Sequence, residues 1–358
     1  MNNIKVLVVD DSAFMRKMIR EILESDPFIT VIDTARNGKE GVEKALALLP
    51  DVITLDVEMP IMNGIEALDA ILQKKSVSVV MLSSLTKEGA DSTIQALNRG
   101  AVDFIPKPSG SISLDIEKIK NEMIYKVKNA AKAKVKRETK SSSIRTNKVT
   151  HSFEPMVPKR KSTFKYRKKI VAIGVSTGGP RALQTLLTSL PKDFPAPILI
   201  VQHMPAGFTK SLAERLNKIC DITVKEAEHG EFLQDGIAYI APGNHHLSVK
   251  KLGTSITAYI DQTDPVGGHR PSVNYLFDSI VPLSNYQKTL VVLTGMGSDG
   301  SNGLQNIKQS DPNTKVIAES EETAIVFGMP KAAISTSLVD YVVPIDEIGN
   351  VLCKVLEE

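Results

Sequence analysis

The stretch Gly174-Val175-Ser176-Thr177-Gly178-Gly179-Pro180 joins a predicted buried strand to a predicted helix. The four apolar residues 170–173 before it are typical of a strand in a sheet core. After it, three leucines recur at helical spacing, and Pro180 fits a first helical turn, where its missing N–H is not needed. Ser176 is therefore predicted to lie on a tight strand-to-helix turn, with its hydroxyl beside free N–H groups of the helix start.

Three interpretations of this turn fit the stretch taken alone. The spacing Gly174-x-Ser176-x-Gly178 matches the elbow that presents a nucleophilic serine. A glycine-rich loop that holds a phosphate or a dinucleotide, or a plain turn, fits as well. The rest of the chain must decide between them.

Length and composition favour a chain of two packed domains. The chain has 358 residues, of which 42% are hydrophobic. No apolar run approaches the ~20 residues of a membrane span, and the predicted strand from Ile4 leaves no room for a signal peptide. The two cysteines, Cys220 and Cys353, lack metal-site spacing. We therefore expect a cytoplasmic protein without membrane insertion.

Positive charge is concentrated in one segment. Between Lys118 and Lys169 the sequence holds 18 lysines and arginines and 3 acidic residues, a local charge of +15. Because the whole chain carries +3, the remainder carries −12. Such a segment can bind nucleic acid, an anionic membrane or an acidic protein. Since it holds few aromatic residues for base stacking, we favour a solvated linker and expect no nucleic-acid partner.

Strands and helices alternate in the N-terminal third of the chain, which indicates an α/β domain of (βα)5 type with a parallel sheet. Asp10 and Asp11 follow the first predicted strand, and Asp56 follows the third. Because the carboxyl ends of parallel strands share one edge, these carboxylates should converge. Their repulsion is relieved by a hard cation such as Mg²⁺. Lys107 would add a positive charge there, and Ser83 a hydroxyl.

This pattern resembles the receiver domain of two-component response regulators, which has a flavodoxin-like fold. The resemblance rests on the Asp10-Asp11 pair, on Asp56-x-x-Met59-Pro60-x-x-x-Gly64, on Ser83 and on Lys107-Pro108. It implies that Asp56 accepts a phosphoryl group. It implies that Mg²⁺ is bound by Asp10, Asp11, Asp56 and the backbone carbonyl of Glu58. It also implies three residues of the receiver switch: Ser83, Phe104 and Lys107.

Motifs at predicted strand ends recur in the C-terminal half. Three of these ends carry a nucleophile, a base and an acid: Ser176, His203 and Asp299. An imidazole must take the serine proton at neutral pH, and a carboxylate then fixes the imidazole tautomer. The chain order Ser…His…Asp differs from that of the α/β-hydrolases, so the elbow motif does not imply that fold. On the residues alone, three further histidines compete for the role of base: His245, His246 and His269.

Six motifs of this half resemble the catalytic domain of chemotaxis protein-glutamate methylesterases. They are residues 174–179, Gln202-His203-Met204-Pro205, Ala241-Pro242-Gly243, His269-Arg270-Pro271-Ser272-Val273, Gly295-Met296-Gly297-Ser298-Asp299-Gly300 and Phe327-Gly328-Met329-Pro330. The resemblance implies a doubly wound, mostly parallel α/β domain with Ser176, His203 and Asp299 as its triad. It implies the Met296 N–H as an oxyanion donor. It places three more residues along the same site: Thr177, His269 and Arg270.

The two resemblances together predict three segments. We expect a receiver domain at residues 1–125, a basic flexible linker at 126–168 and a methylesterase catalytic domain at 169–358. No helix-turn-helix pattern follows the receiver, which argues against DNA binding. Because both domains are acidic on balance, we expect packed surfaces and local pairs to hold them together.

The predicted function is a phosphorylation-regulated serine hydrolase of chemotaxis adaptation. It would remove methyl esters from glutamyl residues of methyl-accepting chemoreceptors and release methanol, with a chemotaxis histidine kinase as phosphodonor. Mg²⁺ would serve receiver phosphorylation, and ester hydrolysis would need no cofactor. Whether the chain also deamidates receptor glutamines is open. The rivals are a response regulator whose second domain only binds partners, and a nucleotide-binding regulator, which lacks the Gly-x-Gly-x-x-Gly spacing.

Overall fold

The computed structural model describes residues 3–107, 116–133 and 168–357. Most of the predicted linker lies outside the described residues. The start that the sequence predicts for the fifth helix, near Ile112, also lies outside them. None of the described helices is both long enough and apolar enough to cross a membrane.

The N-terminal domain is built on five parallel strands in the order β2-β1-β3-β4-β5. The strands are β1 (Ile4–Val9), β2 (Ile29–Ala35), β3 (Val52–Asp56), β4 (Ser78–Ser83) and β5 (Asp103–Pro106). The helices are α1 (Ala13–Glu24), α2 (Gly38–Leu48), α3 (Gly64–Lys74), α4 (Lys87–Asn98) and α5 (Ile116–Ala130). The predicted (βα)5 flavodoxin-like fold is confirmed.

Local sequence fixes the loop that follows Asp56. Asn63 caps α3 by accepting the Glu66 N–H, and the Glu66 carboxylate accepts the Asn63 N–H in return. A Cβ atom on Gly64 would lie 2.0 Å from the Asp56 carbonyl oxygen. Only glycine allows α3 to begin this close to the end of β3, which holds Asp56 at the sheet edge.

The C-terminal domain is built on seven parallel strands in the order β14-β13-β12-β6-β7-β9-β8. These strands are β6 (Lys168–Val175), β7 (Ile198–Gln202), β8 (Thr223–Glu226), β9 (Ile237–Ile240), β12 (Tyr286–Val292), β13 (Lys315–Glu319) and β14 (Tyr341–Val343). The helices are α6 (Gly179–Leu187), α7 (Phe208–Asn217), α8 (Val273–Ile280), α9 (Ser301–Ser310), α10 (Met329–Ser335) and α11 (Ile345–Glu357). The predicted mostly parallel α/β domain is confirmed.

A two-stranded hairpin of this domain lies outside the main sheet. Residues 255–260 belong to β11 (Ser255–Asp261), which pairs antiparallel with β10 (His246–Leu252). The two-residue connection contains Gly253 at φ +61°, a conformation that suits a tight hairpin. Local turn chemistry therefore overrides the strand–helix alternation at this point.

The two domains pack against each other through α4 of the first and α6 and α7 of the second. The ring of Phe104 stacks on that of Phe208 with centroids 4.4 Å apart. Beside it, Thr177 Oγ1 donates a hydrogen bond of 2.6 Å to Asp103 Oδ2. Packed side chains and a local polar pair hold the contact, as the charge distribution leads us to expect.

Candidate active site

Ser176 lies on the turn between β6 and α6. Its N–H donates to the Thr294 carbonyl at 3.0 Å, and its carbonyl accepts the Gly179 N–H at 2.8 Å. Gly178 adopts φ +79°, which favours glycine at this position. The turn is therefore fixed by backbone bonds on both sides, while the Ser176 side chain keeps partial exposure to a cleft between the domains.

His203 and Asp299 form a hydrogen-bonded pair beside this turn. His203 follows β7, and its Nε2 lies 2.8 Å from Asp299 Oδ2. Asp299 follows β12, which neighbours β6 on the other side. The three side chains come from the carboxyl ends of neighbouring parallel strands, which is why residues far apart in sequence meet.

Asp299 is held at the N-terminus of α8 by donors on every side. Its Oδ1 accepts the Ser272 hydroxyl and the Asn274 N–H, each at 2.9 Å. Its Oδ2 accepts the Val273 N–H at 2.7 Å in addition to His203. Burial acts to raise the pKa of Asp299, but the bonds from His203 and from the Asn274 and Val273 N–H groups outweigh it and lower that pKa. The carboxyl group is therefore an ionised acceptor.

An ionised Asp299 determines the tautomer of His203. Because the carboxylate only accepts, His203 Nε2 carries the proton and Nδ1 carries the lone pair. Among the described residues, this buried Nδ1 atom has no hydrogen-bond partner. His203 lines the same cleft as Ser176. The arrangement can accept the serine proton at Nδ1 while Asp299 stabilises the imidazolium through Nε2.

His269 covers one face of the His203 ring. The two imidazoles stack with centroids 4.1 Å apart and an angle of 2° between their planes. Burial, followed by the proximity of His203, lowers the pKa of His269 to about 4. A neutral His269 restricts the His203 ring to one orientation without placing a positive charge beside it.

The N–H group of Met296 is available close to Ser176. It has no hydrogen bond to any described residue. The preceding residue, Gly295, is so close that a Cβ atom on it would lie 2.8 Å from Ser176 Cβ. A donor next to Ser176 suits an oxyanion formed there, as the resemblance implies.

The other predicted site residues differ in what they can do. Arg270 lines the cleft, but its guanidinium donates to Asn244 Oδ1 and to the Gln262 and Thr263 carbonyls. It therefore braces its own loop. The competing His245 and His246 are bonded to the carbonyls of Gly243 and Asp264 respectively.

The receiver forms the opposite wall of the cleft. The cleft has a volume of about 590 Å³. Its receiver side includes Asp103 and the α5 residues Glu122, Tyr125 and Lys126, and its catalytic side includes Ser176 and His203. The hydroxyl of Thr177, the residue after Ser176, donates a hydrogen bond to Asp103 of the receiver. The receiver thus lies across the cleft from Ser176 and His203.

A second polar cluster lies at the carboxyl edge of the receiver sheet. Asp10, Asp11 and Asp56 each place a carboxylate oxygen within 4.8 Å of the others. Lys107 Nζ lies 2.7 Å from Asp56 Oδ2 and 3.0 Å from Asp10 Oδ2. Burial raises the pKa of Asp56 to about 6, against the effect of Lys107, and the charge of Asp10 adds to the rise. Three hard oxygen donors with excess negative charge fit a divalent cation such as Mg²⁺.

Of the predicted switch residues, Lys107 belongs to the acidic cluster, whereas Ser83 and Phe104 make other contacts. The Ser83 hydroxyl donates to the carbonyls of Ser84 and Gly89, so it is held in the loop that leads into α4. Phe104 is 2% exposed and contacts Phe208 of the catalytic domain. The Lys126 ammonium lies 4.9 Å from the centre of the Phe104 ring. Glu58 donates its N–H to Asp56 Oδ1 at 3.4 Å.

Sequence reasoning missed several residues that support the triad. Ser272 and Asn274 hold Asp299, and Gln202 Nε2 donates to the Ser176 carbonyl at 3.0 Å. Asn274 Oδ1 also accepts the Gly300 and Gly303 N–H groups, which ties α8 to α9. The available signal was Ser272 as an N-cap before an apolar helix. That signal gives the helix start but not the carboxylate that docks on it.

Residues 171–352 match the family described as CheB methylesterase, and residues 6–117 match the response regulator receiver domain. The chain belongs to the CheB methylesterase family. It is 53% identical over 356 residues to a protein-glutamate methylesterase/protein-glutamine glutaminase of Oceanobacillus iheyensis, covering 99% of this chain and 100% of that one. A protein of the same name from Geobacillus kaustophilus is 53% identical over 359 residues, covering 100% of both. The crystal structure of the Thermotoga maritima CheB methylesterase catalytic domain matches 52% of this chain and 98% of its own at 46% identity, with a TM-score of 0.51.

The low pKa of His269 gives a prediction for stability against pH. An unfolded chain binds this proton near the ordinary pKa of 6.5, while the folded chain binds it only near 4. The unfolded state therefore gains protons first on acidification, and stability falls as the pH drops from 6.5 towards 4. We expect His269→Phe, which keeps a stacked ring, to reduce this fall. Urea unfolding followed across that pH range tests it, and parallel curves for the two proteins would contradict it.

Proposed function

We propose that the chain is a protein-glutamate methylesterase in which Ser176, His203 and Asp299 carry the chemistry. The observation that supports this most is the Asp299 carboxylate, which accepts hydrogen bonds from four donors. One of them is Nε2 of His203, which lines the same cleft as Ser176. A domain that only binds partners has no need of a buried imidazole with a free nitrogen. A nucleotide-binding loop is disfavoured because the N–H groups of the turn are already engaged: that of Gly179 donates to the Ser176 carbonyl, and that of Ser176 donates to the Thr294 carbonyl.

Acylation begins with attack of Ser176 Oγ on the ester carbonyl carbon. The serine proton passes to His203 Nδ1, and the negative charge on the carbonyl oxygen meets the Met296 N–H. Asp299 stabilises the imidazolium through Nε2. When the tetrahedral intermediate collapses, the C–O bond to the methoxy group breaks, and that group takes the Nδ1 proton and leaves as methanol.

Deacylation uses the same groups in reverse. Water gives a proton to His203 Nδ1 as its oxygen attacks the acyl carbon, and Ser176 Oγ then leaves with that proton. The product is a glutamyl side chain with a free carboxylate. A glutamine side chain gives the same acyl-enzyme with ammonia as the leaving group, which agrees with the double name of the relatives.

The receiver would control access to this site through Asp56. Asp10, Asp11, Asp56 and the Glu58 carbonyl would hold Mg²⁺, which neutralises charge around the phosphoryl group. Lys107 contacts both Asp10 and Asp56 in this structure and would turn to the phosphoryl oxygens. The partners are a histidine kinase as phosphodonor and chemoreceptors as substrates, in keeping with the two families matched.

Phosphorylation would act on the interface through Phe104 and α4. Ser83 shares the Gly89 carbonyl with Thr93, so a shift of Ser83 towards the phosphoryl group loosens the first turn of α4. The α4 helix packs on α7, and Phe104 stacks on Phe208 at the start of α7. The closed state seen here would then give way to an open one, as a shift between two populations.

Loss of the nucleophile should remove turnover. We expect Ser176→Ala to eliminate both the acyl-enzyme and methanol release, because no other group supplies the attacking oxygen. Asp299→Asn should fold but lose on the order of 10⁴-fold in kcat, since its amide would face donors and favour the wrong tautomer. Methanol release and mass spectrometry of the acyl-enzyme measure these effects. Near-normal hydrolysis by Ser176→Ala would refute the assignment.

Phosphorylation should depend on the acidic cluster. With a small phosphodonor such as acetyl phosphate and Mg²⁺, we expect the wild-type chain to gain one phosphoryl group and Asp56→Asn to gain none. Asp11→Asn should need more Mg²⁺ for the same labelling, because one anionic ligand is lost. Phosphate-affinity gels read out the labelled fraction. Full labelling of Asp56→Asn would place the acceptor elsewhere.

The Asp103–Thr177 bond should help to keep the enzyme inactive. Since hydrogen bonds to charged groups are worth roughly 1.5–3 kcal/mol, its loss could shift the closed–open balance by about tenfold or more. We therefore expect Asp103→Ala to release methanol from methylated receptor about tenfold faster than wild type when no phosphodonor is present. Asp69→Ala, which breaks the Asp69–Arg99 pair within the receiver, is the matched control and should have no effect. Equal rates for Asp103→Ala and wild type would show that this contact does not hold the receiver in the closed state.

A further inference from the structure

Glu319 is a buried carboxylate that the proposed hydrolysis does not use. It ends β13, and only 1% of its surface is exposed. Among the described residues it has no cationic partner. Its Oε2 accepts the Thr294 N–H at 2.7 Å, and its Oε1 accepts the Thr323 hydroxyl at 3.0 Å. Burial raises the pKa of Glu319 to about 7, since these two bonds offset the desolvation only in part.

Thr294 connects this carboxylate to the nucleophile turn. Its carbonyl accepts the Ser176 N–H at 3.0 Å. Its hydroxyl donates to the Thr177 carbonyl at 3.0 Å and accepts the Val326 N–H at 3.0 Å. Every polar group of Thr294 is thus engaged, and two of its partners flank the reacting hydroxyl. The Glu319 bond fixes the remaining group, the N–H.

The same segment carries the predicted oxyanion donor. Gly295 follows Thr294 and packs against Ser176, and its carbonyl accepts the Gly328 and Met329 N–H groups. Met296, with its free N–H, comes next. The placement of that N–H relative to Ser176 therefore depends on how Thr294 is held, and displacement of an oxyanion donor is costly to catalysis.

We propose that Glu319 is a positioning residue for the hydrolysis reaction, acting through the Thr294 N–H to hold the oxyanion segment 294–296 against Ser176. This inference rests on the proposed serine hydrolase function. Glu319 touches neither substrate nor the reacting atoms. What it supplies is a hydrogen-bond acceptor at a fixed point, and a neutral amide oxygen can supply the same.

Three substitutions separate this role from simple packing. Glu319→Gln keeps the acceptor and the shape, Glu319→Met keeps the approximate volume without an acceptor, and Glu319→Ala removes both. Asp311→Ala serves as the control for destabilisation, because it leaves the buried Lys288 ammonium without its partner at the other end of the same sheet. All are made in the full-length chain and assayed with a phosphodonor on a small glutamate γ-methyl ester. Sites are counted by labelling with a serine-directed phosphonate.

We expect Glu319→Met to lower kcat per labelled site by about 10- to 100-fold with KM changed less than about twofold, because the loss concerns the transition state. Glu319→Gln should stay within about threefold of wild type, and Asp311→Ala should keep its kcat per site despite a lower melting temperature. If Glu319→Met does not fold, Glu319→Ala carries the same expectation of a lower kcat.

Two results would overturn the proposal. One is a wild-type kcat per labelled site in the folded variants that lack an acceptor. The other is a Glu319→Gln enzyme as slow as Glu319→Met, which would show that the acceptor is not what matters. A wild-type chain that neither hydrolyses the ester nor is labelled at Ser176 would instead refute the proposed function itself, so the two failures are distinguishable.

Discussion

The buried charge of Asp299 is the constraint on which the catalytic half depends. A carboxylate that is 6% exposed must be compensated, and here the N-terminus of α8, the Ser272 hydroxyl and His203 supply four donors. These bonds fix α8 against the end of β12 and orient the imidazole at the end of β7. Against the effect of burial, the bond from His203, with those from the Asn274 and Val273 N–H groups, lowers the pKa of Asp299 and keeps the group ionised. Removing any donor would both weaken the packing and alter the basicity of His203.

Residues at strand ends could be grouped from the sequence, whereas contacts made by docking could not. Parallel strands bring their carboxyl ends to one edge of the sheet. The sequence alone therefore groups Asp10, Asp11 and Asp56. In the same way it groups Ser176, His203 and Asp299. The donors to Asp299 depend on the approach of α8, which no local pattern records. Thr177 and Asp103 are 74 positions apart in the chain, and the hydrogen bond between them depends on how two separate domains meet.

The carboxyl groups at three strand ends differ in pKa because their surroundings differ. Asp299 is rich in donors and its pKa falls. Burial raises the pKa of Asp56 to about 6 despite Lys107, and the negative charge of Asp10, which a divalent cation would offset, adds to the rise. Glu319 has two neutral donors and no cation among the described residues, and its pKa rises to about 7. The pKa of a buried carboxyl group thus falls or rises according to the number and charge of the donors around it.

The form of the interface indicates how a receiver can inhibit such a site without dismantling it. In the closed arrangement the His203–Asp299 bond is intact, and the Met296 N–H is unengaged among the described residues. Ser176 remains partly exposed to a cleft of about 590 Å³. Under the proposed function, that space would hold a single ester side chain, whereas a substrate helix about 10 Å across would approach α5 of the receiver, whose residues line the cleft. Under the proposed function, inhibition would come from excluding the bulk that carries the ester, and displacement of the receiver would need to create room, not to build a catalytic site.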